Sequence, residues 1–184
     1  MSEIHIIIQG QGNQPILNDN FYKEPTEVYV NNIKNDACKK SCELPSDLSN
    51  ITLIFNEEIN SCENMFNGLS NIIEIDLSFF DFSQVTNMDS LFQECTNLQR
   101  IDFGKINTSS VVDMSRLFHY CINLISIDLS NFDTHSVTKM DSMFANCEKI
   151  EFIDLSSFNT SKVETMYDLI AYCYNLVSVN IIKF

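Results

Sequence analysis

The sequence predicts an α/β solenoid, with a parallel β-sheet on a concave face, short helices on a convex face and a small β-rich cap at the N-terminus. Three observations lead there. Apolar landmarks recur at a fixed interval of 26 residues. Within each unit the apolar spacing switches from two to three-and-four. The first 50 residues stand outside the repeat.

The strand segment comes first. Ile75-Asp76-Leu77 returns as Ile101-Asp102-Phe103, Ile127-Asp128-Leu129, Ile153-Asp154-Leu155 and Val179-Asn180-Ile181. With Leu98 ahead of it, Leu98, Ile101 and Phe103 follow the L-x-x-L-x-L pattern of leucine-rich repeats, alternate side chains facing opposite ways. Residues 75–77, 101–103, 127–129 and 153–155 are therefore expected as adjacent parallel strands. A column of Phe80, Ile106, Phe132, Phe158 and Phe184 should lie buried beneath them. A turn follows, as in Phe132-Asp133-Thr134, where an Asx side chain can bond backbone two residues on. Next, Val85, Met88, Phe92 and Cys95 are spaced three, four and three, which predicts a buried helical stripe capped by the Ser or Thr ahead of it. A degenerate first copy, Ile59, Cys62, Met65-Phe66, Leu69 and Ile72, takes its strand from Ile51–Phe55. The repeats thus run over 51–184 and stop within a copy.

Residues 1–50 contain two strand-like runs, Glu3–Gln9 and Glu27–Asn31, and read as a cap over the first repeat. Of seven cysteines, Cys95, Cys121, Cys147 and Cys173 share one apolar column, and Cys62 falls in the Met column. These read as small buried hydrophobes. Cys38 and Cys42 lie outside the repeat, and a disulfide, free thiols and a metal pair all remain open for them.

Charge excludes some partners. Lys and Arg number 11 against 25 Asp and Glu, a net −14, of which residues 51–184 hold −11 with 7 basic and 18 acidic groups. Such a surface repels nucleic-acid phosphates and anionic headgroups. No apolar run approaches the roughly 20 residues of a membrane span, and the Met-Ser-Glu-Ile-His start lacks the features of a secretion signal.

Units such as Ile127-Asp-Leu-Ser-Asn-Phe-Asp-Thr-His-Ser-Val-Thr-Lys-Met-Asp-Ser-Met-Phe resemble the BspA-type leucine-rich repeats of bacterial and protist surface proteins. The resemblance implies a curved, leucine-rich-repeat-like solenoid, a non-enzymatic role, and adhesion or recognition at the cell surface.

Candidate binding residues project from the strands on the concave face. Asp76, Asp102, Asp128 and Asp154 form a column, Arg100 accompanies it, and Phe152 places an aromatic ring where its equivalents are polar or charged. The Asp residues either bond nearby Ser and backbone groups or form a stripe that attracts cations. Enzymatic chemistry is not expected. His5, His119 and His135 occupy different phases of the repeat, no Gly-rich phosphate loop occurs, and no cofactor or metal set is apparent. The expected function is recognition or adhesion, binding a protein or glycan, with a basic partner favoured by charge. An intracellular scaffold in a larger assembly is the alternative, and a Cys38–Cys42 bridge would favour the exterior. The strand at Val179–Phe184 leaves an edge that further repeats or another chain could cover.

Overall fold

Alternation in Ser2–Gln9 builds the central strand. Ile4, Ile6 and Ile8 are buried while Glu3, His5 and Ile7 face outward, so this segment satisfies one sheet face and one core face. A computed structural model describes residues 1–181. Phe184 and Lys183, with the last of the expected aromatic column, lie outside the described residues. The strands are β1 (Ser2–Gln9), β2 (Gly12–Pro15), β3 (Glu27–Val30), β4 (Ile33–Lys34) and β5 (Ser41–Leu44), then β6 (Leu48–Phe55), β7 (Ile72–Asp76), β8 (Arg100–Asp102), β9 (Phe152–Asp154) and β10 (Ser178–Asn180).

The main sheet has six strands in the order β4-β3-β6-β1-β7-β8. β1 runs antiparallel to β6 on one side and to β7 on the other, and β7 and β8 are parallel. The Ile51–Phe55 segment therefore does not stack beside β7 as the first strand of the repeat. β1 is inserted between them. Its apolar face needs two neighbours, and β6 and β7 supply them from either side. β2 and β5 form a small antiparallel pair, and Cys38 and Cys42, just before and within β5, are joined by a disulfide across a 4.8 Å Cα separation.

The expected α/β solenoid with convex helices is not the structure. Among the described residues there is no helix, and the fold is β-rich. The reason lies in backbone conformation and hydrogen bonding. Two residues per unit take positive φ, four apart: Ser90 and Glu94, then Arg116 and Tyr120, then Ser142 and Asn146. A right-handed helix admits no such residues. Their neighbours make turn bonds, as from Leu91 N–H to Met88 and from Cys95 N–H to Phe92. Alternate amides leave the unit altogether. Met88, Ser90, Phe92 and Glu94 donate to the carbonyls of Asp113, Ser115, Leu117 and His119 in the next unit, at 2.8–3.0 Å. Successive turns bury positions three and four apart as effectively as a helix does, so the apolar pattern alone could not separate the two.

The continuous parallel sheet is also corrected. β8 pairs with β7, and β9 pairs with β10, but residues 127–129 form no strand, so the repeat strands fall in two sheets. A polar contact between neighbouring strands accompanies each pair that remains. Arg100 approaches Glu74 at 4.0 Å, and Asn180 donates to Asp154 at 3.1 Å. Asp128 would sit between Asp102 and Asp154 with only Ser126 beside it, and like charges at strand spacing repel by roughly 1 kcal/mol. The backbone departs near the end of β8 too: Gly104, two residues beyond it, takes φ +55, and a Cβ on it would meet the Ser78 Cβ at 2.7 Å.

Units nevertheless keep their 26-residue step through parallel bridges at Ser61, Asn87, Asp113, Lys139 and Thr165. Between them runs one continuous core. Phe66, Phe92, Phe118 and Phe144 stack ring on ring at 5.2–5.9 Å. Phe80, Ile106, Phe132 and Phe158 are buried. The Cys95, Cys121 and Cys147 thiols are fully enclosed, and each donates at 3.1 Å to a Phe carbonyl of the preceding unit, Phe66, Phe92 and Phe118 in turn. Burial pushes these thiols far above their usual range.

Candidate functional site

The outward face of the six-stranded sheet holds a cleft of about 350 Å³. Register builds it. One row crosses five strands as Tyr29, Thr52, His5, Asp76 and Asp102, each directly opposite the next. A neighbouring row runs Asn50, Ile7, Glu74, Arg100. The period of two sends these side chains away from the core because Ile6, Ile51, Ile75 and Ile101 occupy the buried positions beside them.

His5 stands at the centre with both ring nitrogens engaged, Nδ1 3.1 Å from Thr52 Oγ1 and Nε2 3.1 Å from Glu3 Oε1. At one edge, the Tyr29 hydroxyl donates to Glu27 at 2.6 Å and Lys34 lies 3.2 Å from the same carboxylate. The bond from Tyr29, with Lys34 behind it, holds Glu27 below the usual carboxylate range and in turn raises the Tyr29 phenol. The opposite edge is acidic: Glu74, Asp76 and Asp102 line it together with Arg100, which lies 4.0 Å from Glu74.

The residues expected to bind are divided by this geometry. Asp76, Arg100 and Asp102 line the cleft together. Phe152 and Asp154 belong to β9 in the separate two-stranded sheet, where the Phe152 ring is half exposed. Asp128 lies between the two sheets and joins neither. Every Asp of the column also has a local task. Asp76, Asp102, Asp128 and Asp154 accept backbone N–H bonds from Ser78, Gly104, Ser130 and Ser156 at 2.8–2.9 Å. The bonds from Ser130 and Ser156 hold Asp128 and Asp154 below the ordinary carboxylate range.

Sequence reasoning missed His5, Thr52, Tyr29 and Glu27. The alternating runs that contain them were visible, but antiparallel pairing of β1 with both β6 and β7 was not, and only that pairing sets them in one row with Asp76. Among the described residues, no group of three or more His, Cys, Asp or Glu side chains is placed to hold a metal ion. No helix there is long and apolar enough to cross a membrane.

Fold and face together define a β-rich protein of stacked 26-residue units whose N-terminal strands complete an outward face with an acidic edge. The chain belongs to the family described as "Mycoplasma protein of unknown function, DUF285", whose model matches residues 60–181. This match overturns the resemblance to BspA-type leucine-rich repeats: the shared Phe-Asp-Thr-Ser and Met-Phe landmarks encode turns and core columns here, without the helices that the leucine-rich reading requires. No curated protein and no solved structure matches the chain.

Proposed function

We propose that the protein is a non-enzymatic recognition module that binds a basic segment of a partner protein on the outward face of its main sheet. The observation that carries this reading is the cleft lined by Glu74, Asp76 and Asp102, with Arg100 as the one Lys or Arg among its lining residues, on a chain of net charge −14. Clefts lined by one sign of charge focus the field and draw in the opposite charge. Binding rather than catalysis is favoured by His5, whose two nitrogens are both committed to neighbours. The Cys38–Cys42 bridge supports work outside the reducing cytoplasm, since disulfides persist in oxidising surroundings.

The test uses a Lys/Arg-rich peptide titrated into the protein by calorimetry over about 0.05 to 0.5 M salt. Asp76→Asn with Asp102→Asn should weaken binding and flatten its salt dependence, because Asn keeps the backbone bond to Ser78 or Gly104 while removing charge. Unchanged affinity across the salt range would confine both Asp residues to their turns.

A further inference from the structure

Phe79 and Phe80 are adjacent in sequence and opposite in environment. Phe80 joins the buried column of Ile106, Phe132 and Phe158, whereas the Phe79 side chain stands 65% exposed. The core does not include the Phe79 ring. Positions 26, 52 and 78 residues further on hold Lys105, Asn131 and Ser157, so the same place in the later turns takes polar side chains. What sets this turn apart is its neighbour. The Phe79 ring meets the His5 ring edge to face, with centroids 6.1 Å apart and planes at 82°. His5 is the centre of the outward cleft, so Phe79 stands at its rim.

The turn that carries the ring is pinned to β1. The Phe79 carbonyl accepts the Glu3 N–H at 3.2 Å, and the Ser2 hydroxyl accepts the Asp81 N–H at 3.2 Å. Asp76 Oδ1 accepts the Ser78 N–H at 2.8 Å. A ring on so fixed a backbone loses little freedom when a partner covers it. Carboxylates lie on both sides of its His5 neighbour. Glu3 approaches His5 Nε2 at 3.1 Å, and Asp76 stands opposite His5 in the β1–β7 register.

These surroundings discriminate among ligands. A purely apolar side chain would cover the ring while stripping water from the carboxylates, and an anion would be repelled. A lysine ammonium is compact and strongly hydrated. An arginine guanidinium is planar and weakly hydrated, and it can lie on an aromatic face while its N–H edge bonds a carboxylate. We propose that Phe79 makes this face selective for arginine: the bound basic segment sets a guanidinium against the Phe79 ring, with its N–H groups toward Asp76. The assignment rests on the sheet-face recognition proposed above and names the side chain that face selects.

The test uses two peptides of equal length and charge, one with arginine and one with lysine at every basic position. Each is titrated by calorimetry into the full chain. The arginine peptide should bind at least about threefold more tightly. Phe79→Ala should bring that ratio close to one. Phe79→Leu, which keeps apolar surface without a π face, should do the same, and Phe79→Tyr should retain the preference. Thermal unfolding of each variant checks that the core is intact, as the exposure of Phe79 leads one to expect. Equal affinity of the two peptides for the unaltered chain, or a preference that persists in Phe79→Ala and Phe79→Leu, would overturn the assignment. Recognition itself would still stand in that case, provided that Asp76→Asn with Asp102→Asn weakens both peptides. Absence of saturable binding by either peptide would overturn both readings together.

Discussion

Single side chains in this protein act as members of columns, and their energetics follow from it. Phe118 stacks on Phe92 and Phe144 and is fully buried. Phe118→Ala should destabilise by about 3–5 kcal/mol, from lost transfer energy plus an unfilled cavity, as read by urea unfolding. A loss under about 1 kcal/mol would place the ring outside the core. Asp128 makes a smaller contribution with a definite pH signature. Its carboxyl is held below the ordinary value of 3.8 by bonds from Ser130. The folded state therefore favours the ionised form, and that stability is present above the unfolded value and lost as pH falls through the folded one. Wild type should exceed Asp128→Asn in stability at pH 6, and the gap should narrow as pH falls below 3.8. A gap that persists in acid would mean that charge is not what Ser130 recognises. The apolar columns were legible because 26-residue coincidence of Phe, Met and Cys marks them. The polar ladders were not. Asn97 and Asn123 each donate at 2.7 Å to a carbonyl of the preceding unit, Ser70 and Thr96. The Thr108 hydroxyl, fully buried, donates to the Asp133 carbonyl at 2.9 Å. Such residues read as surface turn formers until neighbours are known.

At the scale of elements, the turn segment is where sequence pattern and structure part. Positions three and four apart are buried in both a helix and this train of turns, so period cannot choose between them. What chooses is φ at Ser90, Glu94 and their equivalents, and those residues carry no glycine signal apart from Gly68. A substitution distinguishes the two states. Ser142 has φ 54. Ser142→Gly should leave stability unchanged or raise it by about 1 kcal/mol, because glycine visits that region without a Cβ penalty. In a helix interior the same change would cost up to roughly 1 kcal/mol. Thermal unfolding decides the sign. The strands were legible as segments, through Ile75 and Ile101 in step, but their pairing was not. The interruption near Asp128 depends on which charged residues lie opposite one another, and that emerges only once register is known.

The whole molecule repeats one joint. Amides of one unit meet carbonyls 25 residues on, thiols and Asn side chains reach back, and the Phe66, Phe92, Phe118 and Phe144 rings follow one another at 5.2–5.9 Å. Such a joint has a consequence for how the length of this protein can change. Removing residues 103–128 would connect Asp102 to Leu129 and leave each donor facing an equivalent acceptor, with Met88 now meeting Lys139. It would also remove the unit that interrupts the sheet and bring β8 beside β9. Removing one residue fewer would shift every later column by a position and turn buried side chains outward. The first deletion should give a cooperatively unfolding protein by circular dichroism, and the second should not. Length in this protein is therefore quantised: insertions and losses are tolerated in steps of 26 residues, and a change of one residue inside the stack does more damage than the loss of an entire unit.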